Sequence, residues 1–152
     1  MQNSKLLKIS WILLTIGIAV GLLMCIRNII SPIFMEDIFE NYMSQSWGDF
    51  LQRQPKQAVL YEHLFRLLNC MGFVCYMYAL FIILAAYRIG EKWAWVALLT
   101  AAILGWGSMI VFASIFSDFD GIARGGINLC VGLVLLLLPV KEIWGAKAGQ
   151  TV

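Results

Sequence analysis

The chain has 152 residues, 61% of them hydrophobic and only 13% charged, with a formal net charge of +2. A soluble domain is about half apolar and about one quarter charged, so this composition excludes an ordinary soluble fold. The small positive balance contains no basic run, which excludes a nucleic-acid partner, whose phosphates need clustered Lys and Arg. The few charges gather at the ends of long apolar runs. That pattern predicts an all-α membrane protein, a bundle of four transmembrane helices forming a single membrane domain over 1–152.

Lys5 and Lys8 precede Ile9–Ile26, which is 18 residues without a charge and is closed by Arg27 and Asn28. A helix needs ~20 residues to cross ~30 Å of hydrocarbon, so a first span is expected over about 9–27. A basic start before an apolar run also fits a secretory signal. No small-residue cleavage site follows it, and the segment reads as a retained helix. Gly17-x-x-x-Gly21 invites the close approach of another helix.

The only long connection, 28–60, is expected to lie outside the membrane. Ser31-Pro32 reads as an N-cap followed by proline at the first helical position. After it, Phe34, Met35, Ile38, Phe39, Tyr42 and Met43 fall on one half of a helical wheel, and Glu36, Asp37, Glu40 and Asn41 on the other. A helix that lies on anionic lipid carries Lys or Arg on its polar face. This acidic amphipathic helix is therefore expected to cap the mouth of the bundle. Ser46-Trp47-Gly48-Asp49 resembles a capping box with Asp in place of Glu, opening a short helix that Pro55 ends. A new helix should start at Pro55 or Lys56 and run on into a second span over about 64–87.

Gly90 suits a helix C-terminus, and the turn after it is short enough to make spans two and three antiparallel neighbours. Trp93 and Trp95 stand where aromatic rings anchor at the headgroup level. Trp93–Ser117 is 25 residues without a charge and predicts span three. Ser117-Asp118-Phe119-Asp120-Gly121 is a tight acidic turn. The last span, about 122–140, has only 16 uncharged residues (Gly125–Val140), so a full crossing needs Arg124 to snorkel to the interface. Pro139 and Lys141-Glu142 close it, and a tail with Lys147 follows.

Lys5, Lys8, Arg88, Lys92, Lys141 and Lys147 all fall on the side of the two termini. The opposite side carries four basic residues in its long connection (Arg27, Arg53, Lys56, Arg66) against five acids (Glu36, Asp37, Glu40, Asp49, Glu62). The positive-inside rule then places both termini in the cytoplasm and the amphipathic loop outside.

With that orientation, polar residues concentrate at the outer mouth. Glu62, His63, Arg66 and Asn69 open span two, and Asp120, Arg124 and Asn128 open span four. Glu62, Arg66 and Asn69 share a helix face at i, i+4 and i+7. The inner ends show no comparable cluster. Snorkelling arginines, their acid partners and asparagines bonded to neighbouring helices account for such a set structurally. The functional reading is that Arg66 and Arg124, with Asn69 and Asn128, line a pocket for a lipid phosphate or a carboxylate, which guanidinium groups bind bidentately. Glu62 and Asp120 would position the arginines and compete with the anion when the pocket is empty, and His63 belongs to the same candidate set.

No two of the four cysteines form a C-x-x-C pair, and a single histidine rules out a multi-histidine metal centre within one subunit. No metal and no cofactor is expected. Cys25, Cys70 and Cys130 lie at similar depths near the outer side, which opens the alternative of a membrane enzyme exchanging thiol electrons with a quinone. His63 and Cys70 share a face but are separated by roughly 10.5 Å of rise, too far for a thiol–imidazole pair. A small transporter is a further alternative, weakened because no span carries a deep acidic residue.

Ser46-Trp47 in the outer loop, Arg66 entering span two, and Tyr87-Arg88-Ile89-Gly90-Glu91-Lys92-Trp93-Ala94-Trp95 in the inner turn form a pattern that spans most of the chain. It resembles small bacterial four-helix inner-membrane proteins, loosely similar to the DoxX-like group. The resemblance implies four spans and a bacterial inner membrane, and it brings no catalytic residues. Those proteins often have Gly where Asn69 stands, so it lends no support to a polar role there. The expected function is that of a non-catalytic multi-pass protein, an accessory subunit or a binder of a lipid headgroup or small anion. Its expected partners are membrane lipids and a further protein.

Overall fold

A computed structural model describes residues 5–31 and 33–145, all of its regular structure helical. Pro32, expected at the first position of the loop helix, and Lys147 lie outside the described residues. Helix α1 covers Lys5–Ile30, α2 Ile33–Met43, α3 Trp47–Arg53 and α4 Pro55–Ala85. A single 3-10 turn at Tyr87–Ile89 leads to α5 (Lys92–Ile115), α6 (Phe119–Leu137) and α7 (Val140–Gly145). Four helical stretches are long and apolar enough to cross a membrane: Lys5–Ile30, Pro55–Ile89, Lys92–Ile115 and Phe119–Gly145. The chain is an all-α, multi-pass membrane protein of the four-helix class.

Local chemistry accounts for most helix boundaries. Ser46 caps α3 by accepting from the Asp49 N–H at 3.1 Å, as the capping-box pattern predicts. Pro55 opens α4, where its missing N–H is one of the four that a helix start leaves unpaired anyway. Gly90 adopts the left-handed region (φ 84°), but it closes the 3-10 turn rather than α4 itself, which has already ended at Ala85. The last span begins earlier than its uncharged run suggests. Asp118 accepts from the Gly121 N–H at 2.9 Å and caps α6, so the helix starts at Phe119, before the uncharged run begins.

The chain divides into two compact units, with the boundaries falling inside α1 and α4. In Ile18–Tyr78, the amphipathic α2 buries Met35 and Phe39 with Trp47 of α3 and Ala58 of α4, while Phe50, Tyr61 and Phe65 pack around them. The Phe39 ring lies 4.6 Å from Phe50, 5.1 Å from Trp47 and 5.4 Å from Tyr61. Glu40 adds an acceptor for the Trp47 N–H at 2.8 Å. The apolar stripe is only partly consumed, because Tyr42 and Met43 remain exposed.

The other unit joins the start of α1, through Gly17, to the chain from Ala79 on. Its centre is the α5–α6 hairpin, which closes over glycines. A Cβ on Gly125 would stand 2.8 Å from Ile110 Cγ1, and one on Gly121 would run into Ala113 and the Asp118 carboxylate. The close-approach motif of this unit is therefore Gly121-x-x-x-Gly125. Of the pair singled out in the sequence, Gly21 packs under the Tyr76 ring within its own unit, whereas nothing stands within 4 Å of a Cβ on Gly17.

Candidate functional site

Within Ile18–Tyr78, α1 and α4 meet along a seam of three steps. Gly21 faces Tyr76, Cys25 faces Gly72, and Asn28 faces Asn69. Both sets advance by three and four residues, the spacing that keeps side chains on one helical face. Small residues at the first two steps bring the helices close. The third step is polar: Asn28 Nδ2 donates to Asn69 Oδ1 at 3.1 Å, and Asn69 Nδ2 donates to the Phe65 carbonyl at 2.9 Å.

That chain of bonds fixes the orientation of both amides. The Phe65 carbonyl can only accept, so Asn69 must present its NH2 there and its oxygen to Asn28. Asn28 must then present its own NH2, which leaves its Oδ1 as the remaining acceptor. Asn28 is buried, and Oδ1 has no hydrogen-bond partner among the described residues. A buried acceptor without a donor costs about 1–3 kcal/mol, more than the ~0.6 kcal/mol that an interhelical hydrogen bond in a membrane protein contributes on average.

One turn nearer the loop, Arg66 reaches from α4 to the end of α1. Its Nη1 donates to the Ile29 carbonyl at 3.0 Å, and its Nη2 pairs with Glu62 one turn before it on the same helix. A cation suits this position, because the last carbonyls of a helix lack intrahelical donors and carry partial negative charge. A guanidinium has five N–H donors, and these two bonds leave three without a partner among the described residues. The Arg66 side chain is 40% exposed, so they are open to a ligand.

The structure therefore joins Glu62, Arg66 and Asn69 into one cluster and adds Asn28, which carries its most unusual atom. His63 turns back on its own helix, with Nδ1 donating to the Val59 carbonyl at 3.2 Å. Asp120 and Arg124 form a separate pair in the other unit, with 3.9 Å between Nη2 and Oδ2 and both side chains more than half exposed. Asn128 is exposed on the same helix. All four cysteines are free thiols. Cys25 is buried in the seam, and Cys70, Cys75 and Cys130 are exposed.

A second polar arrangement lies at the end of the spans that carries the termini, where the sequence shows no cluster. Pro139 has no N–H to give the Leu135 carbonyl four residues before it. Ser10 Oγ donates to that carbonyl at 2.6 Å. The Ser10 proton being committed, the Tyr87 hydroxyl, 2.7 Å away, donates to Ser10. Trp95 Nε1 donates to the adjacent Leu136 carbonyl at 2.7 Å, and its ring meets Trp144 edge-on. Ser10, Tyr87 and Pro139 are fully buried. The proline was the readable signal: in hydrocarbon, a carbonyl freed by proline must be satisfied by a neighbouring side chain.

Comparison of the chain with protein-family models, with curated proteins and with solved structures finds no match.

Proposed function

We propose that this is a non-catalytic multi-pass protein of a bacterial inner membrane, termini cytoplasmic, that binds a lipid phosphate or a small anion at its outer polar mouth. The observation that carries the reading is Arg66. It is held at two points, by Ile29 and Glu62, yet is part-exposed with three donors unused among the described residues. A guanidinium already oriented in this way loses little freedom on binding an anion, and its planar fork fits two oxygens of one phosphate. The lysine and arginine distribution supports the orientation.

A second reading, an accessory subunit, is favoured by a different observation. Only 6–17% of the residues in the most apolar window of each span are buried. The remaining apolar surface suits lipid tails or the helices of a partner. Native mass spectrometry of protein extracted with its own lipids separates the two. A retained phospholipid or anion on the wild type, lost from Arg66→Ala/Arg124→Ala of unchanged helical content, supports the binding site. Identical adducts on both proteins, or none, refute it and leave the accessory role.

A further inference from the structure

We infer that the Arg66 cluster takes a phospholipid headgroup that carries its own hydrogen-bond donor, an ethanolamine ammonium or a glycerol hydroxyl, and that Asn28 Oδ1 receives that donor. The inference rests on the anion reading of Arg66 and goes beyond it by naming the chemistry next to the phosphate.

Two complementary deficits stand at adjacent steps of the α1–α4 seam. Arg66 has donors to spare, and Asn28 Oδ1 is an acceptor with no donor, among the described residues. They belong to one cluster, because Ile29, whose carbonyl holds Arg66, is the chain neighbour of Asn28. Asn69, which holds Asn28, stands three residues along α4 from Arg66. Three residues of helix rise about 4.5 Å, so the two residues of α4 that hold these groups stand one turn apart.

The identity of the unpaired atom decides the ligand chemistry. Were it an N–H, a second anionic oxygen would suit it. It is an oxygen, fixed as such by the Asn28–Asn69–Phe65 chain of bonds, so it selects an N–H or O–H. A choline headgroup offers the phosphate but no donor, and so does inorganic phosphate in its fully ionised form. Asn28 lies in the last turn of α1, two residues before Ile30. The oxygen thus lies at the loop end of the seam, beyond the steps at Cys25 and Gly21.

The test uses the full-length protein in nanodiscs doped with phosphatidylethanolamine, phosphatidylglycerol or phosphatidylcholine, and retention is read by native mass spectrometry. Wild type should retain the ethanolamine and glycerol lipids about tenfold more than the choline lipid, the ratio that one hydrogen bond supplies. Asn28→Leu should bind all three alike, at the wild-type choline level. Because Asn28→Leu alone strands Asn69 Oδ1, Asn28→Leu/Asn69→Leu serves as the second variant; it removes both partners and should fold while showing the same loss of preference. Arg66→Ala should lose retention of every lipid. Equal retention of the three lipids by wild type, or a preference that survives in both Asn28 variants, overturns the inference, a bound water then being the donor to Oδ1. If Arg66→Ala still abolishes binding in that case, the anion reading stands. If Arg66→Ala retains lipid like wild type, the anion reading falls and this inference falls with it.

Discussion

Replacing Ser10 by alanine removes the one side-chain donor to Leu135 O among the described residues, at the carbonyl that Pro139 leaves without its helical N–H. Ser10, Tyr87 and Pro139 are fully buried, which keeps water from substituting, so the loss is that of a stranded acceptor, about 1–3 kcal/mol. Measured interhelical bonds in membrane proteins reach only ~1.7 kcal/mol, so about 1–2 kcal/mol is expected. The proline supplies a sharper test than the magnitude. In Pro139→Ala the backbone N–H of residue 139 returns and can serve Leu135 O, so Ser10→Ala in that background should cost less than about 0.5 kcal/mol. A double-mutant cycle by reversible unfolding in mixed micelles should therefore give a coupling near 1 kcal/mol. Tyr87→Phe should cost less than Ser10→Ala, because Ser10 keeps its bond to the carbonyl and loses only the hydroxyl that donates to it. Equal costs for Ser10→Ala in the two backgrounds would refute the reasoning, since the serine would then be stabilising something other than the proline-freed carbonyl.

Gly125→Ala should destabilise the α5–α6 hairpin by about 1–3 kcal/mol through overpacking, because its Cβ would press to 2.8 Å from Ile110 Cγ1. Gly126→Ala, with nothing within 4 Å, is the control and should be neutral or slightly stabilising in the same unfolding assay. Asp118→Ala should cost about 1 kcal/mol as the loss of a helix cap, and Asp118→Ser should restore most of it. Phe39→Ala should loosen the packing of α2 and α3 on α4, for removal of a fully buried ring costs about 3–5 kcal/mol. Hydrogen exchange should then accelerate across Ile33–Arg53 and stay unchanged in α5 and α6. Unchanged exchange in the loop would mean that the aromatic cluster does not hold it.

The elements that the sequence discloses are those decided by short-range chemistry. An uncharged run of 18 to 25 residues strongly favours a helix in a membrane, so the presence of long apolar helices is legible from the sequence. The α2 wheel, the Ser46 cap and the Pro55 start are equally local. Even the late start assigned to the last span traces to one local bond, the Asp118 cap, hidden within what read as an acidic turn.

Tertiary structure decided what each of these helices does for its neighbours. Helical periodicity tells which residues share a face, but not which face meets which partner, because that depends on register between segments far apart in the chain. Arg66 illustrates the difference: its sequence setting shows a cation at a span entrance, and only the fold shows it capping Ile29 thirty-seven residues earlier. Gly17-x-x-x-Gly21 and Gly121-x-x-x-Gly125 are the same motif, yet only the second is closed over at both glycines. Asn28 and Ser10 look like incidental polar residues near the ends of one apolar run. Their partners, Asn69 and the Leu135 carbonyl, lie 41 and 125 residues away, and it is the need to satisfy polar groups where water is absent that draws those pairs together.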